Sequence, residues 1–253
     1  KLSKAQRGEL KDIGGLVGGW LKEGIRKNGN VTFRTLGLLD ADSIPADTDF
    51  QRIVRTALDG VTCFLYSTHS HTPETPRYRI VILFNREVSE DEYPAVMRMV
   101  AKQIGMDYFD DSTYEANRMM YWASCPSNGE FVFDEQTGEP LNVDKYLGMY
   151  ADWRDVSQWP TYSRQSEAVK HEVAKQEDPL SKHGVVGAFC RAYSVTAAID
   201  KFLADVYAPS VIEGRYDYIL GESSAGVVVY DDKFTYSHHA TDPACGKLLN
   251  AFD

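Results

Sequence analysis

Three apolar runs, separated by segments of a different pattern, constrain the fold of this chain most strongly. The runs are TFRTLGLLDAD, GVTCFLYSTHS and RYRIVILF, which begin at residues 32, 60 and 77. A segment with apolar residues at helical spacing, DTDFQRIVRTAL, lies between the first two runs, and a second one, SEDEYPAVMRMVAKQIG, follows the third. This order of strand, helix, strand, strand and helix predicts an α/β (α+β) domain.

The character of the sequence changes after Tyr162. The next segment, SRQSEAVKHEVAKQEDPLSKHG, is polar and charged, and it predicts a helix followed by a hinge at Pro179. GVVGAFCRAYSVTAAIDKFLADVY then predicts one or two helices, and RYDYIL, GVVVYDD and FTYSHHA predict short strands. We therefore predict two domains, residues 1–165 and a smaller helix-and-strand domain of residues 166–253.

Composition and charge argue against several classes of protein. No apolar run approaches the roughly 20 residues that span a bilayer, and no signal-peptide pattern is present, so we expect a cytoplasmic protein without membrane contact. The four cysteines are scattered with no C-x-x-C pair, which argues against a zinc ribbon. A formal charge of −10 argues against a protein that coats nucleic acid by charge alone, although it is compatible with a local basic groove.

Two carboxylates stand at the end of the first apolar run. Asp40 and Asp42 are two residues apart, so on an extended strand their side chains point to the same side. Two like charges on one face are costly unless a cation neutralises them, and Mg²⁺ or Mn²⁺ is the natural partner of such oxygen ligands. Taken alone, the pair is also common in solvated turns. Asp110 and Asp111 follow another short apolar run, where they indicate either a further acidic ligand or a helix N-cap.

Two histidines, His69 and His71, stand where the second apolar run ends and a Pro-rich loop begins. Three interpretations are open from the residues alone. The pair could hold a metal ion, contact a phosphate, or cap the strand.

Taken in order, three short motifs carry a resemblance to a known family. The motifs are LLDAD with Asp40 and Asp42, STH with Ser67 and His69, and FD with Asp110. Their order resembles that of the archaeo-eukaryotic primase superfamily, and most closely the primase-polymerase domains that precede a helicase in phage and mobile-element proteins of the virulence-associated E type. STHSHTPETPRYRIVI, DDSTYEANRMMYW and FTYSHHATDPACGKLLNAFD also resemble segments of those proteins. The resemblance implies a catalytic core of mixed sheet with flanking helices, followed by a smaller helix-and-strand domain.

The resemblance assigns roles to the residues of the motifs. The first and third motifs of that family hold two divalent metal ions, so Asp40, Asp42 and Asp110 are the implied catalytic ligands of Mg²⁺ or Mn²⁺. The second motif contacts the triphosphate of the incoming nucleotide, which assigns Ser67 and His69 to nucleotide binding. We choose Asp110 over Asp111 because an apolar residue directly precedes it.

Basic residues near the motifs are further candidates for nucleotide binding. Arg118, eight residues after Asp110, stands where these enzymes commonly place a basic residue near nucleotide or template. Arg77 and Arg79 follow the Pro-bounded loop, and of these two we choose Arg77 for the nucleotide pocket. His71 is interpreted as a neighbour that supports the turn.

The function that the resemblance implies is template-dependent nucleotidyl transfer, a DNA primase/polymerase activity in the replication of a phage or mobile element. The implied partners are a single-stranded DNA template, nucleoside triphosphates and a helicase domain C-terminal to this chain, in the cytoplasm of a bacterial host. In related proteins a helical segment after the catalytic core assists primer initiation. Residues 182–207 are the candidate for that task.

Two alternatives stay open at the level of sequence. A rolling-circle or relaxase nuclease of the HUH type uses a His-x-His strand to bind one metal and a tyrosine to attack DNA, but it expects a bulky apolar residue where Ser70 stands. A non-catalytic DNA-binding module of a replication initiator would share the fold. Mn²⁺-dependent nucleotide incorporation separates an enzyme from such a module.

Overall fold

A computed structural model of the chain describes residues 14–109, 111–163, 173 and 175–253. The chain divides into two compact units, Lys1–Met149 and Tyr150–Asp253. The predicted domain boundary after residue 165 lies outside the described residues, as does most of the predicted helix that precedes Pro179, so both stay predictions.

The first unit is built on a five-stranded sheet. Its strands are β2 (Gly19–Leu21), β3 (Val31–Ala41), β4 (Cys63–Ser67), β5 (Tyr78–Val88) and β7 (Phe133–Gln136), and they lie in the order β2-β3-β5-β4-β7. All neighbouring strands in this sheet pair antiparallel, and parallel pairing occurs here as isolated bridges such as Phe84 with Leu141. The predicted α+β class is confirmed, with the mixed character of the sheet confined to such bridges.

The predicted helices of this unit are α1 (Phe50–Ala57) and α2 (Glu92–Ile104), and a short α3 (Val143–Leu147) follows β7. The side chain of Asp49 accepts a hydrogen bond from the backbone N–H of Arg52 and so caps α1. Ahead of α2, the hydroxyl of Ser89 accepts from the N–H of Glu92, and the Glu92 carboxylate accepts from the N–H of Ser89. This reciprocal pair ties Ser89, the serine that the sequence indicates, to Glu92, the first residue of the helix.

Helices cover one face of the sheet. A Cβ atom at Gly37 would lie 2.8 Å from the Sδ atom of Met97 on α2, so glycine permits the close approach of strand and helix. The ring of Phe50 on α1 stacks on Tyr78 with centroids 5.7 Å apart. Side chains alternate along a strand, and therefore Leu38 and Asp40, out of phase with Gly37, point to the opposite face.

That opposite face is partly covered by a short two-stranded ribbon. Its strands, β1 (Gly15–Leu16) and β6 (Met120–Tyr121), pair antiparallel. Met120 and Leu16 pack against a buried cluster of Leu38, Tyr66 and Val81 on the sheet. The ribbon closes the middle of this face and leaves the ends of β3, β4 and β5 accessible beside it.

The second unit combines two helices with an antiparallel sheet. The helices are α4 (Gly184–Ala192) and α5 (Val195–Phe202), which confirms the predicted helical segment. The sheet has the order β12-β11-β10-β9-β8, with strands β8 (Tyr207–Pro209), β9 (Arg215–Tyr218), β10 (Val227–Tyr230), β11 (Phe234–Ser237) and β12 (Leu248–Asn250). Val195, Ile199, Tyr216 and Val227 form a core between helix and sheet. Within the described parts of both units, no helix is long and apolar enough to cross a membrane.

Candidate active site

A polar cleft opens at the ends of β3, β4 and β5, on the face of the main sheet opposite α1 and α2. It has a cavity volume of about 80 Å³ and is lined by Asp40, Asp42, Thr68, His69, Ser70, Arg77, Arg79, Tyr121 and Ser124. Antiparallel pairing places Asp40 of β3 directly opposite Arg79 of β5. The cleft thus brings together Asp40 and Asp42 of the first motif and His69 of the second motif.

Each carboxylate of the first motif has an arginine beside it. Arg79 Nε lies 3.5 Å from Asp40 Oδ1, and Arg77 Nη1 lies 3.8 Å from Asp42 Oδ2. Asp40 and Asp42 share one side of the strand end, as the two-residue spacing predicts. The negative charge of these two carboxylates is balanced by the guanidinium groups of Arg77 and Arg79. The two-residue spacing of the aspartates does not reveal this source of neutralisation.

Arg79 is held more firmly than Arg77. Its Nη1 donates a 3.1 Å hydrogen bond to the carbonyl of Tyr121, which also accepts a 2.9 Å bond from the hydroxyl of Tyr66. The Arg79 side chain is 13% exposed, compared with 42% for Arg77. Arg79 Nε is buried without a hydrogen-bond partner among the described residues, and it faces Asp40. Sequence analysis selects Arg77 and passes over Arg79, although their spacing places both on one side of the strand.

The two histidines lie in different surroundings. His69 lines the cleft, and its Nδ1 lies 3.2 Å from the hydroxyl oxygen of Ser124. His71 is buried, its Nδ1 accepts a 3.1 Å hydrogen bond from the backbone N–H of Arg77, and its ring centroid lies 4.8 Å from that of Tyr78. Burial lowers the pKa of His71, which favours the neutral ring that accepts this bond. A shared His-x-His metal site would need both rings in one cleft, and only His69 lines it.

Ser67 lies apart from the cleft lining. It is opposite Tyr78 in the strand pairing and so points to the helix-covered face. The side chain is 1% exposed, and its hydroxyl oxygen accepts a 2.9 Å hydrogen bond from the backbone N–H of Val132. Ser67 therefore fastens the end of β4 immediately before the turn that carries His69.

Arg118 is also outside the set of cleft-lining residues. It is half-buried, and its backbone N–H donates a 2.9 Å hydrogen bond to the carbonyl of Glu115. Tyr121 and Ser124, a few residues further on, do line the cleft. None of the three short motifs contains these two residues. Tyr121 lies on the short ribbon strand β6, whose pairing with the distant strand β1 could not be read from a local pattern.

Asp110 lies outside the described residues. Of its described neighbours, Phe109 forms an antiparallel bridge with Ala41, and the hydroxyl of Thr113 accepts a 2.8 Å bond from the N–H of Asp40. Asp111 forms a 2.7 Å ion pair with Arg98, whose guanidinium group also lies over the ring of Tyr114. The contacts of Phe109 and Thr113 place the residues next to the third motif at the end of β3.

The fit of this cleft to a divalent metal rests on its oxygen donors. Two carboxylates, from Asp40 and Asp42, line one cleft, and Mg²⁺ is commonly held by one or two carboxylates together with substrate phosphates. Within the part of the chain that the structure describes, no group of three histidine, cysteine, aspartate or glutamate residues is placed to hold a metal ion. The described donors fit a metal that also receives ligands from a nucleotide.

Comparison with known proteins gives two matches. A family model described as the VapE N-terminal domain matches residues 1–162 of the 253-residue chain. Among solved structures, the AEP domain of the cyanophage S-2L primase-polymerase (PrimPol) is similar, with 18% identity and a TM-score of 0.41 over 58% of this chain and 76% of that chain. No curated protein matches the chain.

Proposed function

Because the chain belongs to the VapE N-terminal domain family, we propose that it is a template-dependent nucleotidyltransferase, a primase/polymerase that makes primers on single-stranded DNA during replication of a phage or mobile element. The observation that supports this proposal most is the cleft itself. It is lined by Asp40 and Asp42 of the first motif, His69 of the second motif, and Arg77 of the loop that follows the second motif.

The residues of the cleft divide into an acidic side and a basic side. The triphosphate of an incoming nucleotide would lie against His69, Arg77 and Arg79, because guanidinium and imidazole groups donate charge-assisted hydrogen bonds to phosphate oxygens. Arg79 is already fixed by the carbonyl of Tyr121, so its orientation costs little further entropy when a nucleotide binds. The 3′-hydroxyl of a primer would then attack the α-phosphorus, and pyrophosphate would leave on the basic side.

Asp40, Asp42 and Asp110 are the proposed ligands of Mg²⁺ or Mn²⁺. When bound, the two metal ions would stabilise the charge that develops on the attacking and leaving oxygens. The preference for Asp110 over its neighbour gains support from the 2.7 Å ion pair that engages Asp111 with Arg98. At 2.7 Å this pair is closer than the 3.5 Å and 3.8 Å separations of Asp40 and Asp42 from their arginines, so Asp111 is the carboxylate of the three that an arginine engages most closely.

Two further assignments remain proposals. Ser67, whose hydroxyl oxygen accepts from Val132 N–H, would act by holding the turn that presents His69, with a direct phosphate contact as the alternative. Arg118 would contact the nucleotide or template beyond the cleft lining. The proposed partners are single-stranded DNA, nucleoside triphosphates and a C-terminal helicase domain, in the cytoplasm of a bacterial host.

We expect the substitution His69→Ala to weaken nucleoside triphosphate binding by about tenfold, the effect of losing about 1.4 kcal/mol from one charge-assisted hydrogen bond. His71→Ala should change nucleotide affinity much less, because this ring contacts the backbone of Arg77 rather than the cleft. The measurement is the dissociation constant of a labelled nucleoside triphosphate for both variants, with thermal unfolding as a check of the fold. Equal losses of affinity would instead favour a metal site shared by the two histidines.

The proposed function is tested by metal-dependent incorporation of labelled nucleotide on a single-stranded template. A DNA-binding module would bind the template without incorporation, and an HUH-type nuclease would leave tyrosyl-linked DNA.

A further inference from the structure

Two phenylalanines, Phe64 on β4 and Phe133 on the edge strand β7, are exposed next to each other on the face of the main sheet opposite α1 and α2. Their side chains are 38% and 52% exposed, and Phe131, two residues before Phe133 in the chain, is 48% exposed. We call Phe64 and Phe133 the aromatic strip. Exposed phenylalanine rings cost solvation free energy, and their grouping on one face of a sheet marks a surface that binds something.

The strip is continuous with the cleft through the register of the sheet. Asp40 pairs with Arg79, Arg79 with Tyr66, and Tyr66 with Phe133. Directly paired residues point to the same face, so these four side chains form one row from the acidic side of the cleft to the edge of the sheet. In the next row, Phe64 lies opposite Glu135.

The rings have the spacing of a stacking surface. The centroids of the two exposed rings, Phe64 and Phe133, lie 5.9 Å apart with the planes inclined by 35°, whereas Tyr66 in the same row is buried. Aromatic side chains on the open face of a sheet stack successive bases of single-stranded nucleic acid, and each stacked base contributes about 1–3 kcal/mol.

Charge on this face favours bases over phosphates. Glu135 is exposed on this face, directly opposite Phe64, and a carboxylate repels the phosphate backbone. Arg77 and Arg79 place positive charge in the cleft, at the inner end of the row. A single-stranded nucleic acid with its bases on the phenylalanine rings and its phosphate backbone towards solvent would keep its phosphates away from the carboxylate.

We propose that the aromatic strip binds the bases of a single-stranded nucleic acid and leads the template into the cleft. This inference rests on the proposed function, because that function requires a template next to the nucleotide. The chemistry that recognises the ligand is stacking on unpaired bases, so binding should tolerate different sequences.

The test is the affinity of the full chain for a short fluorescent oligothymidylate, measured by anisotropy. Phe133→Ala should weaken binding by about 10-fold, because one stacked base is lost. Phe133→Tyr should restore the affinity, whereas Phe133→Leu should not, since leucine is apolar but does not stack. With an abasic oligonucleotide the wild type and Phe133→Ala should bind equally, and the salt dependence of oligothymidylate binding should be the same in both.

Trp20→Ala is the matched control. Trp20 is 64% exposed on β2, the opposite edge strand of the same sheet, and its loss should leave oligonucleotide affinity unchanged. Equal weakening by Trp20→Ala and Phe133→Ala would overturn the proposal, as would unchanged affinity of Phe133→Ala. If the strip is instead an interface between two copies of the chain, Phe133→Ala would convert a dimer to a monomer without affecting oligonucleotide affinity, and this too would overturn it.

The two proposals can fail separately. Suppose that the wild-type chain incorporates nucleotides and that Phe133→Ala binds oligothymidylate as tightly as the wild type. This result would refute the role of the aromatic strip and would leave the proposed enzyme activity standing. Suppose instead that oligothymidylate binding depends on Phe133 but the wild-type chain incorporates no nucleotide. This result would support the role of the aromatic strip and refute the proposed enzyme activity.

Discussion

Asp42→Ala is expected to reduce nucleotide incorporation by about 1000-fold or more, to the background of the assay, while the protein stays folded. A carboxylate that holds a catalytic metal stabilises charge formed only in the transition state, and its loss falls directly on the rate. The stability effect should be small, because the Asp42 and Arg77 side chains are 38% and 42% exposed and lie 3.8 Å apart at closest approach.

The same loss of activity is expected for Asp40, tested as Asp40→Asn. Asparagine keeps the shape beside Arg79, which is only 13% exposed and would otherwise face a void. Asp47→Ala is the matched control, since Asp47 is exposed in the loop after β3 and does not line the cleft. Thermal unfolding should be similar for all three variants. Activity at the wild-type level in either cleft variant would refute the metal-ligand assignment.

A truncated protein of residues 1–165 is expected to extend an existing primer but to lose most unprimed synthesis. Initiation must hold two nucleotides on a template without the grip of a primer duplex, and that entropic cost is assigned to the C-terminal part of the chain. The motivation is the pair of helices α4 and α5 within residues 182–207, the segment proposed to assist initiation.

Both activities should be measured on the same single-stranded template, for the truncated and the full chain, at matched protein concentration. Circular dichroism of the truncated protein establishes that it is folded before the rates are compared. Equal loss of both activities in a folded fragment would mean that the C-terminal part is integral to the active site. Unprimed synthesis at the full rate would mean that it has no role in initiation.

Local patterns predicted much of the fold and part of the cleft. The segments that became α1 and α2 carry helical periodicity and capping residues, and both helices are present. Asp40 and Asp42 share a side because alternation along an extended strand is a local property. His69 could be selected because it stands in a motif at the end of a strand.

Features that depend on pairing between distant strands could not be read from the sequence. The register of β3 against β5 sets Arg79 opposite Asp40, and a shift of one residue would turn Arg79 to the other face. The register of β4 against β5 turns Ser67 towards the helices, although its motif groups it with His69. The antiparallel character of the main sheet and the arrival of Tyr121 in the cleft likewise follow from long-range pairing.

The most direct test of the central claim is incorporation of labelled nucleotide by the wild-type chain on single-stranded DNA, with and without a preformed primer. The proposed function predicts a product that requires Mg²⁺ or Mn²⁺, that contains nucleotides complementary to the template, and that disappears when the metal is chelated. A chain that is folded and binds the template, but incorporates no nucleotide with either metal and with or without primer, would contradict it.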